Sequence, residues 1–205
     1  MTCNPASPPS ETIAGVILAG GLSRRMGGGD KALLPLGGRP VLAHVIARFA
    51  PQVGPLALNA NGDPGRFAGF GLPVAADGFQ GFAGPLAGVL AAMHWAAGQG
   101  AGLVATVAAD TPFLPRDLVG RLAAGIGGAP VAVAVAEDGA HPTCALWRVA
   151  RRGDLAAALV AGTRRVTEWA AREGAAPVAF PDEAAFFNVN VPADLAEAEA
   201  RLAQG

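Results

Sequence analysis

The stretch IAGVILAGGLSRRMGGGDK, residues 13–31, decides the fold, because an apolar run passes directly into a loop rich in glycine. Residues 13–19 are nearly all apolar, which is typical of a strand buried on both faces of a sheet. Gly20 and Gly21 can bring backbone N–H groups close to a bound anion. Three side chains add positive charge to the same loop: Arg24, Arg25 and Lys31. The stretch therefore predicts an anion site, with a flexible loop that binds nothing as the alternative.

Strand-like and helical segments alternate along the chain. Further strands are predicted at residues 55–60, 103–109 and 131–136. Helical spacing, with proline or aspartate near the start and glycine near the end, predicts helices at residues 39–50, 85–98 and 115–125. This alternation indicates an α/β fold of three layers, Rossmann-like, with a mostly parallel central sheet. Such sheets bind ligands at the carboxyl ends of their strands, which is where the loop after residue 19 lies.

Composition excludes several classes of protein. The 205 residues suffice for one domain with a buried core. The net charge of −1, from 15 Lys and Arg against 16 Asp and Glu, provides no field that would hold a nucleic acid. Cys3 and Cys144 form neither a disulfide framework nor a zinc cluster, which fits a reducing cytoplasm.

The apolar character of the chain does not predict a membrane span. Residues 79–109 contain no charged side chain, but Gly98–Gln99–Gly100 divides them into a helical part and a strand-like part. Neither part reaches the roughly 20 continuous apolar residues that a bilayer requires. Residues 1–12 have no secretion-signal pattern and are predicted to be a disordered tail. Residues 13–205 are predicted to form one domain.

An aspartate follows the third predicted strand, in VATVAADTPFLP at residues 104–115. Mg²⁺ prefers one or two carboxylates together with phosphate oxygens and water, so Asp110 is a candidate metal ligand beside a nucleoside triphosphate. The alternative is an Asp110 that caps the following helix. Asp77 follows the strand-like LPVAA at residues 72–76 and repeats the same placement.

The opening loop is followed by a series of further motifs: LNAN at 58–61, AADG at 75–78, GPLAG at 84–88, AADTPF at 108–113, HPTCALW at 141–147, GTRRV at 162–166 and FFNVNVPADL at 186–195. Through these motifs and their order, the chain from residue 14 to about residue 200 resembles the molybdenum cofactor guanylyltransferases, a family of nucleotidyltransferases. The first and last of these motifs are the most specific.

The resemblance implies a nucleotide site in the N-terminal half of the domain. The residues that match the family's nucleotide-binding positions are Leu18, Ala19, Gly20, Gly21, Lys31, Asn59, Asp77 and Asp110. The implied catalytic residues are Arg25, Lys31 and Asp110, of which Lys31 contacts phosphates and Asp110 binds Mg²⁺. Arg24 is the alternative to Arg25 as the arginine that faces the triphosphate. A carboxylate can accept the N1–H and exocyclic amino donors of guanine, so Asp77 would favour guanine over cytosine or adenine.

The implied reaction is the attack of the terminal phosphate of molybdenum-molybdopterin on the α-phosphorus of GTP, with release of pyrophosphate. Maturation proteins of molybdoenzymes are expected as further partners. Two alternatives stay open at this point: a related transferase that uses CTP or a sugar phosphate, and a non-catalytic carrier module that only binds nucleotide or cofactor.

The resemblance also implies an acceptor site in the C-terminal half, formed by His141, Asn188 and Asn190. Asparagine amides match the mixed donor and acceptor edge of a pterin. The alternatives are a histidine satisfied within its own loop, and asparagines that cap the helix predicted to begin at Pro192.

Overall fold

A computed structural model describes residues 12–20, 30–78 and 84–204 of the chain. The strands are β1 (Ile13–Leu18), β2 (Pro35–Leu36), β3 (Arg39–Pro40), β4 (Leu56–Asn59), β5 (Val74–Ala75), β6 (Leu103–Ala108), β7 (Val131–Ala136), β8 (Gly139–Arg148) and β9 (Ala176–Ala179). The α-helices are α1 (Val41–Phe49), α2 (Pro85–Gly98), α3 (Leu118–Gly125), α4 (Arg152–Val160), α5 (Val166–Arg172) and α6 (Pro192–Leu202). Short 3-10 helices lie at Lys31–Leu33, Ala50–Gln52, Pro64–Phe70, Val149–Arg151 and Glu183–Phe186.

Seven strands form one sheet in the order β5-β4-β1-β6-β8-β7-β9. The strands β5, β4, β1 and β6 run parallel to one another, and β7 runs parallel to β9. The predicted mostly parallel sheet is therefore confirmed. The exception is β8, which lies antiparallel to both β6 and β7. It follows β7 through a short hairpin turn, and this turn makes the two strands antiparallel. A parallel neighbour would have needed a longer crossover connection.

Helices cover both faces of the sheet. Neighbouring residues of a strand point to opposite faces, so a strand that is apolar throughout needs a covering layer on each side. Ile17 packs on the face covered by α1 and α3. Val16, the residue before it, packs on the face covered by α2, α4 and α5. The three layers predicted from the alternation of segments are confirmed.

A buried polar chain holds the reversed strand β8 against β6. The indole N–H of Trp147 donates to the hydroxyl of Thr106 over 2.8 Å, and that hydroxyl donates to the carbonyl of Thr143 over 2.9 Å. Trp147 and Thr106 are fully buried. The indole N–H and the hydroxyl each have an acceptor, so neither of these two buried donors is left without a hydrogen bond.

The first predicted helix begins later than its pattern indicated. Residues 39 and 40 form β3, which pairs with β2 in a small hairpin, and α1 follows from Val41. The hairpin turns at Gly37 and Gly38, whose φ angles of 57° and 77° require residues without a Cβ. The helix α6 packs on this hairpin. Its Ala198 lies in one buried cluster with Leu36 of β2, Val41 of α1 and Val189 of the segment before α6.

Among the described residues, no helix is both long enough and apolar enough to span a bilayer. The division of residues 79–109 appears as predicted for the part that the structure describes, where α2 ends at Gly98 and β6 starts at Leu103.

Candidate active site

A cavity of about 490 Å³ opens beyond the carboxyl ends of the parallel strands. Residues at or just after the carboxyl ends of β1, β4, β5 and β6 line it, which is where open α/β sheets bind their ligands. The start of α2 and the segment before α6 close its sides. Its described lining consists of Leu18, Ala19, Gly20, Asp30, Lys31, Ala32, Asn59, Asp77, Gly84, Pro85, Gly88, Ala108, Ala109, Asp110, Thr143, Asn188 and Asn190.

At one end of the cavity, two asparagines hold the carboxylate of Asp77. The amide of Asn59 donates to one carboxylate oxygen over 2.8 Å, and the amide of Asn61 donates to the other over 2.7 Å. Asn61 also accepts from the backbone N–H of Asp77 over 2.9 Å. The carboxylate is therefore fixed in orientation, and each oxygen keeps one lone pair for a further donor.

Close packing of α2 keeps Asn59 in place. Asn59 is 2% exposed, and its amide also donates to the carbonyl of Ala75 over 3.1 Å. A Cβ on Gly88 would lie only 2.4 Å from the side-chain oxygen of Asn59. Position 88 therefore requires glycine for the helix to approach this close.

Lys31 also lines the cavity, at the first position of a 3-10 helix. Its ammonium group donates to the side-chain oxygen of Asn190 over 2.9 Å. Asn190 stands just before α6, so the C-terminal segment holds the lysine at the cavity wall. An ammonium with three donors can keep this bond and still donate to an anion.

Asp110 follows β6 at the floor of the cavity and is half-buried. Burial raises the pKa of its carboxyl above the ordinary value, and the positive charge of Lys31 offsets part of that rise. The backbone N–H of Val189 donates to the Asp110 carbonyl over 2.8 Å, and Thr111 donates to Asn188 over 2.6 Å. The segment before α6 therefore braces the loop that carries Asp110.

The cavity can accept a divalent cation but does not form a closed metal cage. No group of three or more His, Cys, Asp or Glu side chains converges within residues 12–20, 30–78 and 84–204. A half-buried carboxylate beside a cavity is the donor set that suits Mg²⁺, which keeps water and takes substrate phosphate oxygens. A cation there would also offset the burial that disfavours the ionised form of Asp110.

Comparison with known proteins places this site in a family. Residues 15–176 match the MobA-like NTP transferase domain. The chain belongs to this family of nucleotidyltransferases. A molybdenum cofactor guanylyltransferase of Cereibacter sphaeroides is 57% identical over 93% of this chain and 97% of its own length. Another, from Mesorhizobium japonicum, is 54% identical over 94% of this chain and 96% of its own length.

A solved structure agrees with the fold. Molybdopterin-guanine dinucleotide biosynthesis protein A from Archaeoglobus fulgidus superposes with a TM-score of 0.72, covering 95% of this chain and all of its own at 22% identity. The family resemblance read from the motifs is confirmed, and the chain is an enzyme of the nucleotidyltransferase class. The carrier-module alternative is therefore not supported. Enzymes of this family use a divalent metal ion.

Most of the residues predicted for the site of this transferase lie around the one cavity: Leu18, Ala19, Gly20, Lys31, Asn59, Asp77, Asp110, Asn188 and Asn190. Gly21 and Arg25 lie outside the described residues. His141 does not lie on the cavity lining. It is bonded to Asp138 over 2.9 Å and stacks on Phe186 with 4.2 Å between ring centroids.

Both helix-capping alternatives are wrong. The carboxylate of Asp194 accepts from the backbone N–H groups of Asn190 and Val191, over 2.7 and 2.9 Å, so an aspartate inside α6 satisfies the start of that helix. Asp110 lies well before α3, whose N-cap is Asp117. The side chains of Asp110, Asn188 and Asn190 are therefore free of that role.

The site also contains residues that sequence reasoning did not single out. Asn61 stands within LNAN, Thr143 within HPTCALW and Asp30 within the opening stretch, but no role was predicted for any of them. Gly88 stood in GPLAG without an assigned contact. Their contacts join segments that are far apart in the chain. The signal that the sequence offers for them is their place within the motifs that carry the family resemblance.

Proposed function

We propose that this transferase moves GMP from GTP to the terminal phosphate of molybdenum-molybdopterin, forming molybdopterin guanine dinucleotide and pyrophosphate. One observation carries the proposal: a fixed carboxylate at Asp77 and a cation at Lys31 stand on the wall of the same cavity as Asp110. The relatives that are 54% and 57% identical are named for guanylyl transfer to the molybdenum cofactor.

The base end of the cavity suits guanine. Guanine presents N1–H and its 2-amino group side by side, and the two free lone pairs of Asp77 can accept both. Cytosine and adenine each present a ring acceptor beside their amino group, which would face a carboxylate oxygen without a proton between them. Asn59 and Asn61 act as supports because they fix the direction of those lone pairs.

The phosphate end suits an in-line transfer without a protein nucleophile. An oxygen of the acceptor phosphate forms a bond to the α-phosphorus, and the bond from that phosphorus to the bridging oxygen breaks, with its electron pair leaving on pyrophosphate. Lys31 and Arg25 would stabilise the growing charge, and the backbone of Leu18, Ala19, Gly20 and Gly21 would follow the nucleotide. The start of α2, which lines the cavity at Gly84 and Pro85, adds partial positive charge.

A cysteine nucleophile does not fit this site. Cys144 is buried, and burial raises the pKa of its thiol to about 12, so the thiol stays protonated near neutral pH. Asp110 would hold Mg²⁺, which when bound supplies charge neutralisation to the triphosphate and the leaving pyrophosphate. Asp110 thereby becomes a catalytic residue together with Lys31 and Arg25.

The acceptor would enter from the C-terminal side of the cavity, where Asn188, Asn190 and Thr143 form the wall. This keeps the division into an N-terminal nucleotide half and a C-terminal acceptor half within one domain of residues 13–205. His141 does not line the cavity, but it lies two residues before Thr143 on β8. It would support this acceptor wall from behind. We further propose that the reaction takes place in the cytoplasm and that maturation proteins of molybdoenzymes receive the product.

A transfer assay with GTP and CTP side by side tests the proposal. The purified chain, molybdenum-molybdopterin and Mg²⁺ are incubated with each radiolabelled nucleotide, and the labelled dinucleotide and pyrophosphate are measured. We expect turnover with GTP, and we expect Asp77→Asn to lower the preference for GTP over CTP roughly 10- to 100-fold. Asp63→Asn is the matched control, because Asp63 is exposed on the same connection between β4 and β5. A wild-type preference for CTP would overturn the assignment of the base.

A further inference from the structure

Arg66 is not on the cavity lining, but its guanidinium contacts residues next to two parts of that lining. Its Nε lies 3.2 Å from a carboxylate oxygen of Asp30, and its Nη2 donates to the carbonyl of Asn61 over 2.8 Å. The guanidinium carbon lies 4.8 Å from the ring centroid of Phe67, a fully buried side chain. Arg66 lies on the connection between β4 and β5, five residues after Asn61. Its guanidinium therefore braces this connection and joins it to Asp30, while the ring of the neighbouring Phe67 packs against it.

Each of these two segments adjoins a residue that is proposed to bind the nucleotide. Asp30 directly precedes Lys31, and its side chain is 15% exposed in the pair with Arg66. Asp30 makes no side-chain bond to the 3-10 helix that begins at Lys31, so its carboxylate serves the arginine instead. On the other side, Asn61 accepts from Arg66 with its carbonyl and holds Asp77 with its side chain.

We propose that Arg66 is a positioning residue that sets the distance between the phosphate-binding Lys31 and the guanine-binding Asp77. The inference rests on the proposed function, which assigns those two residues to GTP. A nucleotide has a restricted span between base and phosphates, so the two ends of its site must be held in register for the α-phosphorus to meet the acceptor. A guanidinium can bond to both loops at once, whereas a lysine ammonium offers no planar fork.

The test compares Arg66→Gln with a matched variant elsewhere. Arg121 makes the same kinds of contact away from the cavity: an ion pair with Asp117, a bond to the carbonyl of Ala179 and a position 4.6 Å over the ring of Phe180. We expect Arg66→Gln to lower kcat/KM for GTP roughly 10- to 100-fold through misplacement of reacting groups. Arg121→Gln is expected to leave kcat/KM unchanged and to shift the Tm by about as much as Arg66→Gln does.

Two further readouts separate positioning from a general loss of structure. The ratio of kcat/KM for GTP to that for inosine triphosphate, which lacks the 2-amino group, is expected to fall in Arg66→Gln and Arg66→Lys but not in Arg121→Gln. Arg66→Gln is expected to add little to the loss already caused by Asp30→Asn, because both variants break the same pair. Multiplicative losses in the double variant, or an unchanged nucleotide ratio, would overturn the inference.

Failure of the proposed function gives a different result. If Lys31→Ala retained wild-type turnover, the assignment of Lys31 to the phosphates would be wrong, and the role of Arg66 would fall with it. If Lys31→Ala loses turnover while Arg66→Gln behaves like Arg121→Gln, only the role of Arg66 is wrong.

Discussion

Asp110 stands half-buried at the end of β6, where burial raises the pKa of its carboxyl. A raised pKa in the folded state means that the native chain binds a proton more readily than the unfolded chain does. The ionised carboxylate therefore destabilises the fold above the raised pKa. This cost disappears as the pH falls below the ordinary carboxyl pKa of about 3.9. Asp110 therefore does not stabilise the fold in its ionised form, which agrees with the cation-binding role proposed for it.

Asp110→Asn is expected to separate activity from stability. Loss of the metal-binding carboxylate should lower turnover roughly 10²- to 10³-fold. The Tm at neutral pH should rise or stay constant, because the cost of burying the charge is removed. The difference in Tm between the variant and the wild type should shrink as the pH is lowered. Steady-state turnover and thermal melts over pH measure both effects.

Asp182→Asn is the control for this prediction, because Asp182 is exposed and makes no side-chain cap bond to the helix after it. It should change neither turnover nor Tm. Retained turnover in Asp110→Asn would contradict the assignment of the metal site.

At the scale of elements, α2 and the parallel strands position the base end of the cavity through one close contact. Gly88 lets α2 approach Asn59, and Asn59 in turn fixes Asp77. The helix is buried along most of its length, so it cannot move aside without disturbing the core. The base recognition that we propose for Asp77 would thus depend on the packing of a helix that follows it in the chain.

Gly88→Ala is expected to raise the KM for GTP and to destabilise the fold by about 1–3 kcal/mol, although alanine normally favours a helix. The added Cβ would displace Asn59 and break its bonds to Ala75 and Asp77. Gly98→Ala in the same helix is the control, because a Cβ there meets nothing within 4 Å. Denaturant unfolding and GTP kinetics give the comparison; equal behaviour of the two variants would argue against this contact.

The elements that sequence patterns predicted well are those with local signals. The strands β1, β4, β6 and β7 are short apolar runs, and α1, α2 and α3 carry helical spacing with proline and glycine at their ends. The reversed β8 was not predicted, because polar and apolar residues mix in it and give no clear strand pattern. Its direction did have a local signal, since Asp138–Gly139 at the turn from β7 is a pair typical of hairpins. Periodicity alone does not record the direction of strand pairing.

The same distinction applies to the site. The placement of Asp77 and Asp110 at the cavity could be predicted from the sequence, because each follows a strand and parallel strands bring their carboxyl ends to one edge of the sheet. The pair between Asp30 and Arg66 joins residues from separate loops, and the bond from Lys31 to Asn190 spans 159 positions. No short motif specifies such contacts, so their partners became visible only in the folded chain.

At the scale of the whole molecule, the seven-stranded sheet gathers residues from 18 to 190 around one cavity. The segment before α6 reaches back to three residues of the nucleotide side: Lys31, Asp110 and Thr111. The acceptor wall and the nucleotide wall are therefore mechanically joined. Guanylyl transfer in this account depends on both halves of one domain.

A crystal structure of the chain with GTP and Mg²⁺, in the absence of the acceptor, would show directly how the cavity holds the nucleotide. We expect the guanine edge on the carboxylate of Asp77, the phosphates on Lys31 and Gly20, and the metal on Asp110. A nucleotide bound with its base away from Asp77, or with its phosphates beyond reach of Lys31, would contradict this expectation.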